Sequence, residues 1–404
     1  MKVESSLPAR IYINGRFLQQ PVTGVQRYGR ELLKAWDELL GTGGIDRRNV
    51  EFHVLAPRGR IAAPSLRHIS LRQVGHLRGH LWDQLELPFR ARDGLLFSPG
   101  NVHPVLSPLL GPGVVTVHDL AYRLSPDAYT TAFRLTYGVL VPAALRNADA
   151  IITVSESEKR NIAARFPMVK DRIYAVHHGA PGAELVARVE LNTQSSRSGK
   201  STDSSNPSDR FALWVGTLTK RKNPQGAIDA ITLFNKELKL PLVMAGTTYR
   251  GFNDAGLRVA HEGGEIVRFA DRVDTFAELA RLYSSAVCLL FPSFYEGFGL
   301  PALEAMAHGC PVVASGIPSL REVCGDAALY CDPDDPRDIA KKIRLVAEDR
   351  EVREGLRRSG LARVKEFSWE KCARQTFAIL SGVIARKANS CAGAYSERGT
   401  AISG

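Results

Sequence analysis

Two carboxylates in a Glu-x7-Glu spacing, Glu296 and Glu304, lie in the stretch Leu289 to Ser315, LLFPSFYEGFGLPALEAMAHGCPVVAS. An ionised carboxylate only accepts hydrogen bonds, so the pair suits a ligand with several hydroxyl groups. Gly297 and Gly299 stand between the two acids, and Pro301 marks where a helix can begin, because a first-turn proline loses no intrahelical bond. Backbone N–H groups of such a loop, together with a helix N-terminus, favour an anion. A ligand carrying both phosphate and hydroxyls would use both features, and a nucleotide sugar is such a ligand. A second chemical feature is the run Lys220, Arg221 and Lys222, which follows Gly216 in the loop TLTKRKNP and could neutralise a diphosphate. The pair His118 and Asp119 ends an apolar run, where a histidine could meet a substrate hydroxyl or simply be held by its neighbour.

These residues need elements to position them, and apolar patterning supplies those elements. Ala286 to Phe291 is a short continuous apolar run closed by Pro292 and Ser293, which reads as a buried strand. A glycine loop and a helix follow, with Glu304 placed in its first turn; Gly309 and Pro311 stop the helix, and Val312 to Ala314 resume a strand. That is a βαβ unit with its loop at a strand's carboxyl end, where open α/β sheets bind ligands. Phe211 to Val215, Leu242 to Ala245 and Ile266 to Phe269 read as further strands alternating with helices at Gln225 to Leu238 and Phe276 to Ser284. Earlier in the chain the strands are Arg10 to Asn14, Val50 to Ala56, Leu95 to Ser98, Gly113 to Val117, Ala150 to Val154 and Tyr174 to Val176. After the first of them Gly24 opens a helix with Val25, Tyr28, Leu32, Leu33 and Trp36 at helical spacing, but the G-x-G-x-x-G dinucleotide fingerprint is absent.

The stretch from Leu66 to Arg92 mixes arginine, histidine and apolar residues. It reads either as a segment that touches a membrane surface or as a helix packed through Leu81, Trp82, Leu85 and Leu87. The run NTQSSRSGKSTDSSNPSD within residues 184–210 is polar and without periodicity, so it reads as a flexible linker or insertion. Residues 1–183 therefore form one domain and 211–368 another; 369–388 read as a last helix packing back on the first domain, and 389–404 as a disordered tail.

Composition excludes several classes. Hydrophobic residues at 44% and charged residues at 24% of 404 are ordinary for a soluble globular chain, and no apolar run approaches the roughly 20 residues of a membrane span. No secretory signal core opens the sequence, so a cytoplasmic location is expected. The six cysteines show no paired C-x2-C spacing and read as reduced core thiols, not a zinc site. A net charge of +11 implies an acidic partner. Nucleic acid is not expected, since no zinc finger, RNP-type strand or groove-reading basic helix is present; an anionic lipid surface or a phosphate-rich substrate suits the charge better.

Six motifs then carry a resemblance: TGVQRY at Thr23, VTVHDLAY at Val115, NADAIITVSESEK at Asn147, WVGTLTKRKNP at Trp214, the acidic stretch from Phe291, and FSWEKCA at Phe367. In this order they resemble glycosyltransferase family 4, the retaining group with the GT-B fold, over nearly the whole chain. The resemblance implies α/β architecture with two Rossmann-like domains facing across a cleft, donor mainly in the second and acceptor in the first. It implies that Glu304 holds the donor's ribose, that Glu296 holds the transferred sugar, and that Phe298, Gly299 and Leu300 contact sugar and phosphates through their backbone. Arg221 and Lys222 match the positions that neutralise the leaving diphosphate, Gly24 the loop approaching it from the first domain, and His118 the residue near the donor sugar; Gly216 ends the strand below the phosphate loop. Thr217 stands where many members carry arginine, so Arg221 must supply that charge, and His178-Gly179 replaces the usual Asn-Gly.

The implied enzyme is a metal-independent hexosyltransferase with no cofactor beyond the nucleotide sugar. Its best-matched donor is GDP-mannose and its acceptor a glycan or lipid-linked saccharide of bacterial surface polysaccharide, with a location on the inner face of the plasma membrane. UDP-sugars and dTDP-rhamnose remain open as donors. An epimerase of the same architecture and a nonenzymatic glycan- or membrane-binding protein are the readings from other classes. No Asp-x-Asp is placed to hold a metal: Asp332, Pro333 and Asp334 read as a turn.

Overall fold

The computed structural model describes residues 8–182, 210–246, 266–270 and 276–400, with residues 185, 189 and 257. The serine-rich stretch from residue 190 to 209 lies outside the described residues. The chain divides into two compact units. The first holds Met1–Asp119, Tyr137–His178 and Trp369–Gly404; the second holds Leu120–Thr136 and Gly179–Ser368.

The first unit is built on a seven-stranded parallel sheet. Its strands are β1 (Ala9–Asn14), β2 (Val50–Ala56), β3 (Ser70–Gln73), β4 (Leu95–Ser98), β5 (Gly113–Thr116), β6 (Ala150–Thr153) and β7 (Ile173–Ala175), in the order β3-β2-β1-β4-β5-β6-β7. Strands β4, β5 and β6 are buried along their whole length, as expected where helices cover both faces of a parallel sheet. Register places Ile11 against Phe52 and Leu95, and Ile13 against Val54 and Phe97. The helix Gly24–Gly41 buries Tyr28, Leu32, Leu33, Trp36, Leu39 and Leu40 on that sheet, a stripe at helical spacing. Strand β3 escapes the apolar reading because Ser70–Gln73 has one apolar residue and a half-exposed edge position.

The last helix, Trp369–Thr400, belongs to this first unit, where Trp36 Nε1 donates to the Ala373 carbonyl at 2.9 Å. Its backbone is helical to Thr400. Residues 120–136, which sequence reading assigns to the first domain, group with the second unit.

The second unit repeats the plan with six parallel strands: β8 (Ala212–Val215), β9 (Leu242–Ala245), β10 (Val267–Phe269), β11 (Cys288–Phe291), β12 (Val312–Ser315) and β13 (Ala328–Cys331), in the order β10-β9-β8-β11-β12-β13. Its core packs Trp214, Leu242, Leu290, Val313 and Ile343. The five described cysteines, Cys288, Cys310, Cys324, Cys331 and Cys372, are free and buried, and burial pushes the Cys288 and Cys372 thiols up to about 12. Among the described residues no helix is long and apolar enough to cross a membrane.

Candidate active site

In the second sheet the strand order reverses between β8 and β11, so the loops leaving these neighbours open side by side at the carboxyl edge. The β8 loop carries a 3-10 turn, Lys220–Lys222, ended by Asn223 in the left-handed region at φ 51°. Asn223 fixes this turn from both sides: its Oδ1 accepts from Gly226 N at 3.0 Å and its Nδ2 donates to the Pro333 carbonyl at 2.7 Å. From below, Trp214 Nε1 donates to the Lys222 carbonyl at 3.4 Å. The turn is thereby held by two side chains that the sequence gives no reason to single out.

The β11 loop supplies the opposite charge. Lys222 Nζ donates to Glu296 Oε1, and Arg221 Nη1 lies 3.3 Å from Glu296 Oε2 while donating to the Tyr295 carbonyl at 2.7 Å. A backbone bond of 2.9 Å from Phe294 N to the Arg221 carbonyl locks the two loops together. All three charged side chains are close to fully buried. Burial pushes the Glu296 carboxyl up, but Lys222 and Arg221 outweigh it, and the net shift is below the ordinary 4.5. Lys222 Nζ also stands 4.8 Å from the centre of the Phe291 ring.

Gly299 begins the helix Leu300–Ala307 at φ 107°, a conformation that disfavours any other residue; a Cβ there would also come within 2.5 Å of Leu320 Cδ2. Because the helix starts at Leu300, Glu304 lies beyond its first turn, which corrects the expected placement. The Glu304 carboxylate is buried and accepts from Tyr283 Oη at 3.0 Å. Tyr283 is itself fully buried and stacked on His308 with ring centres 5.6 Å apart, while the His308 backbone N–H donates to the Glu304 carbonyl at 3.2 Å. Tyr283 thus orients Glu304, and sequence reading missed it because a tyrosine on a helical face looks like core. Phe298 packs edge-on against Phe367 at 6.0 Å. A Cβ built on Gly216 would lie 3.5 Å from Lys222 Cδ, and one on Gly246 only 1.8 Å from the Gly216 carbonyl oxygen. Gly246 is therefore needed where β9 ends beside β8, a second position the sequence left silent.

The remaining two residues, His118 and Gly24, belong to the first unit. His118 follows β5, and its Nε2–H donates to the Pro99 carbonyl at 2.8 Å while its backbone N–H donates to Asn101 Oδ1 at 2.7 Å. The donation at Nε2 leaves Nδ1 as the acceptor of a neutral ring. Burial pushes the His118 imidazole below its usual range, and burial with the neighbouring His118, His177 and Arg27 pushes His178 well below. Gly24 opens the helix that delivers Tyr28, whose ring meets His118 edge-on at 4.9 Å and stacks on His178 at 4.9 Å. Trp369 closes the stack on His178 at 5.8 Å. Of the sequence-chosen residues, then, Glu296, Arg221 and Lys222 converge on one another, Gly216 borders Lys222, and Phe298, Gly299, Leu300 and Glu304 continue from the Glu296 loop. Asp332 Oδ1 accepts from Asp334 N at 2.9 Å, a turn, and among the described residues no three His, Cys, Asp or Glu side chains gather as metal ligands.

Comparison with known proteins bears on this geometry. A model of the family described as glycosyl transferases group 1 matches residues 200–363. The chain is 31% identical over 393 residues to O-antigen chain mannosyltransferase B of Escherichia coli, covering 89% of this chain and 96% of the relative. It is 27% identical over 241 residues to O-antigen chain mannosyltransferase RfbU of Salmonella typhimurium, covering 60% of this chain and 62% of that one. Among solved structures, the sucrose-phosphate synthase of Thermosynechococcus elongatus matches with a TM-score of 0.65 at 21% identity, over 94% of this chain and all of the other. Anabaena HepE in complex with UDP and glucose matches with a TM-score of 0.61 at 14% identity, over 93% of this chain and all of the other. These structural likenesses concern the fold, two parallel-sheet domains of the GT-B kind.

Proposed function

Since the chain belongs to the glycosyl transferases group 1 family and is a hexosyltransferase, we propose that it moves mannose from GDP-mannose to a glycan or lipid-linked acceptor in surface polysaccharide synthesis. It does so with retention of configuration, without a metal ion, at the inner face of the plasma membrane. The donor and pathway are taken from relatives named as O-antigen mannosyltransferases. The observation that carries the chemistry is the convergence of Lys222 and Arg221 on buried Glu296.

Cleaving the bond from the anomeric carbon to a phosphate oxygen leaves a diphosphate that gains negative charge. Lys222 and Arg221, held in a site of low dielectric, stabilise that charge where it develops. Before donor arrives Glu296 offsets one of their two positive charges and lies beside both, so neither cation is buried without a carboxylate. With donor bound, the diphosphate takes over part of that balance and Glu296 is turned toward the sugar hydroxyls. Glu304, oriented by Tyr283, accepts from the ribose hydroxyls. A carboxylate gripped by two cations and depressed in pKa is a poor nucleophile. This favours same-face departure, in which the leaving phosphate oxygen takes the acceptor proton, over double displacement through Glu296.

The test is product analysis. Incubation with GDP-mannose and a lipid-linked acceptor should release GDP and give an α-mannoside from the α-donor; a β-product, or a trapped glycosyl-Glu296, would overturn the retaining same-face route. Release from UDP-sugars or dTDP-rhamnose alone would move the assignment to those donors.

A further inference from the structure

Exposed apolar side chains of the first unit gather on adjoining short elements. Leu81 and Leu85 lie one turn apart on the helix Gly79–Leu85, Phe89 on the turn Leu87–Arg90, Leu109 on Ser107–Leu110 and Val139 on the helix Thr131–Asn147, all between 51% and 81% exposed. The Gln84 side chain ties the first of these elements to the chain entering the third, donating to the His103 carbonyl at 3.4 Å and accepting from Val105 N at 2.9 Å. Asn147 Nδ2 donates to the Val105 carbonyl at 3.0 Å, and the His80 ring meets Tyr137 edge-on at 5.9 Å, which joins the last element to the others. The patch is not loose core. Trp82 and Leu87, on the inward sides of the same helices, are fully buried, and Trp82 Nε1 donates to the Val74 carbonyl at 2.8 Å. Of the two readings of this stretch, the packed helix sets Leu81 and Leu85 beside Trp82; the structure turns them outward. Large apolar side chains exposed together on elements tied to one another in this way mark an interaction site.

Charge identifies the partner. Residues 66–112 contain three carboxylates, and each is used within the fold. Asp83 is fully buried under Arg16 Nε at 2.6 Å and Asn14 Nδ2 at 2.9 Å; Glu86 accepts from the His76 and Leu77 backbone N–H groups at 3.0 Å; Asp93 pairs with Arg10. Arg78, Arg90 and Arg92 are exposed beside the apolar residues. With outward charge positive and a net +11 per chain, a second copy would be repelled. We propose that this face docks on an anionic lipid surface, its apolar side chains entering the headgroup boundary and its arginines facing lipid phosphates. The purpose of such docking rests on the reading of a lipid-borne acceptor, but the binding itself does not depend on catalysis.

Vesicle flotation of the full chain tests it. Vesicles with about a third phosphatidylglycerol should bind at least tenfold more tightly than pure phosphatidylcholine, and binding should weaken as salt rises. The pair Phe89→Ser and Leu109→Ser should lose at least tenfold, and the pair Arg90→Gln and Arg92→Gln about twenty-five-fold, at roughly fivefold per arginine. Both pairs should keep the wild-type melting temperature and the thermal shift with GDP-mannose. Equal binding to neutral and anionic vesicles, absence of binding, or unaffected variants would overturn the proposal. So would a concentration-dependent dimer that Leu109→Ser dissolves, since the patch would then be a protein contact. Failed vesicle binding with intact GDP release would leave the proposed reaction standing and remove only the docking surface.

Discussion

The site in the second unit is charged and held by ion pairs, whereas the cluster around His118 in the first unit is aromatic, buried and neutral. Glu296 keeps its charge because Lys222 and Arg221 surround it; burial outweighs the nearby Asp119 at His118, and burial between Tyr28 and Trp369 pushes His178 down further. On the proposed reading, one fold plan used twice separates two tasks: the charged loop would meet a diphosphate, and the neutral stack holds a ring and its backbone in place.

The largest expected effect comes from removing a cation. Lys222→Met should lower the rate of GDP release by about 10²- to 10³-fold, the scale of a lost oxyanion-type donor. It also leaves Glu296 paired with Arg221 alone and should destabilise the second unit by about 1–3 kcal/mol, the scale of one lost charge-assisted hydrogen bond. The double variant Lys222→Met with Glu296→Gln strips Arg221 of its carboxylate and should lose further stability without recovering rate, read by melting curves beside single-turnover kinetics. Recovery of the rate would mean that Lys222 serves Glu296 and not the leaving group. A smaller effect is expected at the donor's far end: Glu304→Ala should raise the donor KM, and Tyr283→Phe should raise it by about three- to tenfold with kcat little changed, as suits one orienting hydrogen bond. A kcat loss without a KM change would place Tyr283 in the reaction itself.

Acid sharpens the contrast at still smaller amplitude. The folded values of His118 and His178 are depressed, so their contribution is present above the ordinary 6.5 and is lost as pH falls below it. Glu296 is also depressed, so its contribution holds above 4.5 and is lost only as pH falls through its lower folded value. His178→Phe should therefore flatten the melting temperature between pH 7 and pH 5 by a few degrees, and Glu296→Gln should act only below that window. Matching pH profiles for the two variants would erase the distinction between the regions.

Much of the second unit was legible because its chemistry sits in short, punctuated segments: Pro292, Gly299 and Pro301 bracket one loop, and Gly216 and Pro224 the other. Continuous apolar runs such as Cys288–Phe291 read as strands for the same reason that they are buried on both faces. What stayed hidden depends on contacts between distant positions. Tyr283 meets Glu304 from another helix, Asn223 reaches Pro333, and the stack of Tyr28, His178 and Trp369 joins three segments far apart in the chain. No local period encodes such meetings, and a half-exposed edge strand such as Ser70–Gln73 carries no apolar pattern.

The central claim is that side-chain cations of the second unit, and not a metal ion, stabilise the departing diphosphate. Its most direct measurement is the rate of GDP release from GDP-mannose by the full chain with acceptor, before and after exhaustive treatment with a metal chelator. An unchanged rate in the wild type, together with the loss in Lys222→Met, is the expected result; a rate abolished by chelator and restored by a divalent cation would contradict it.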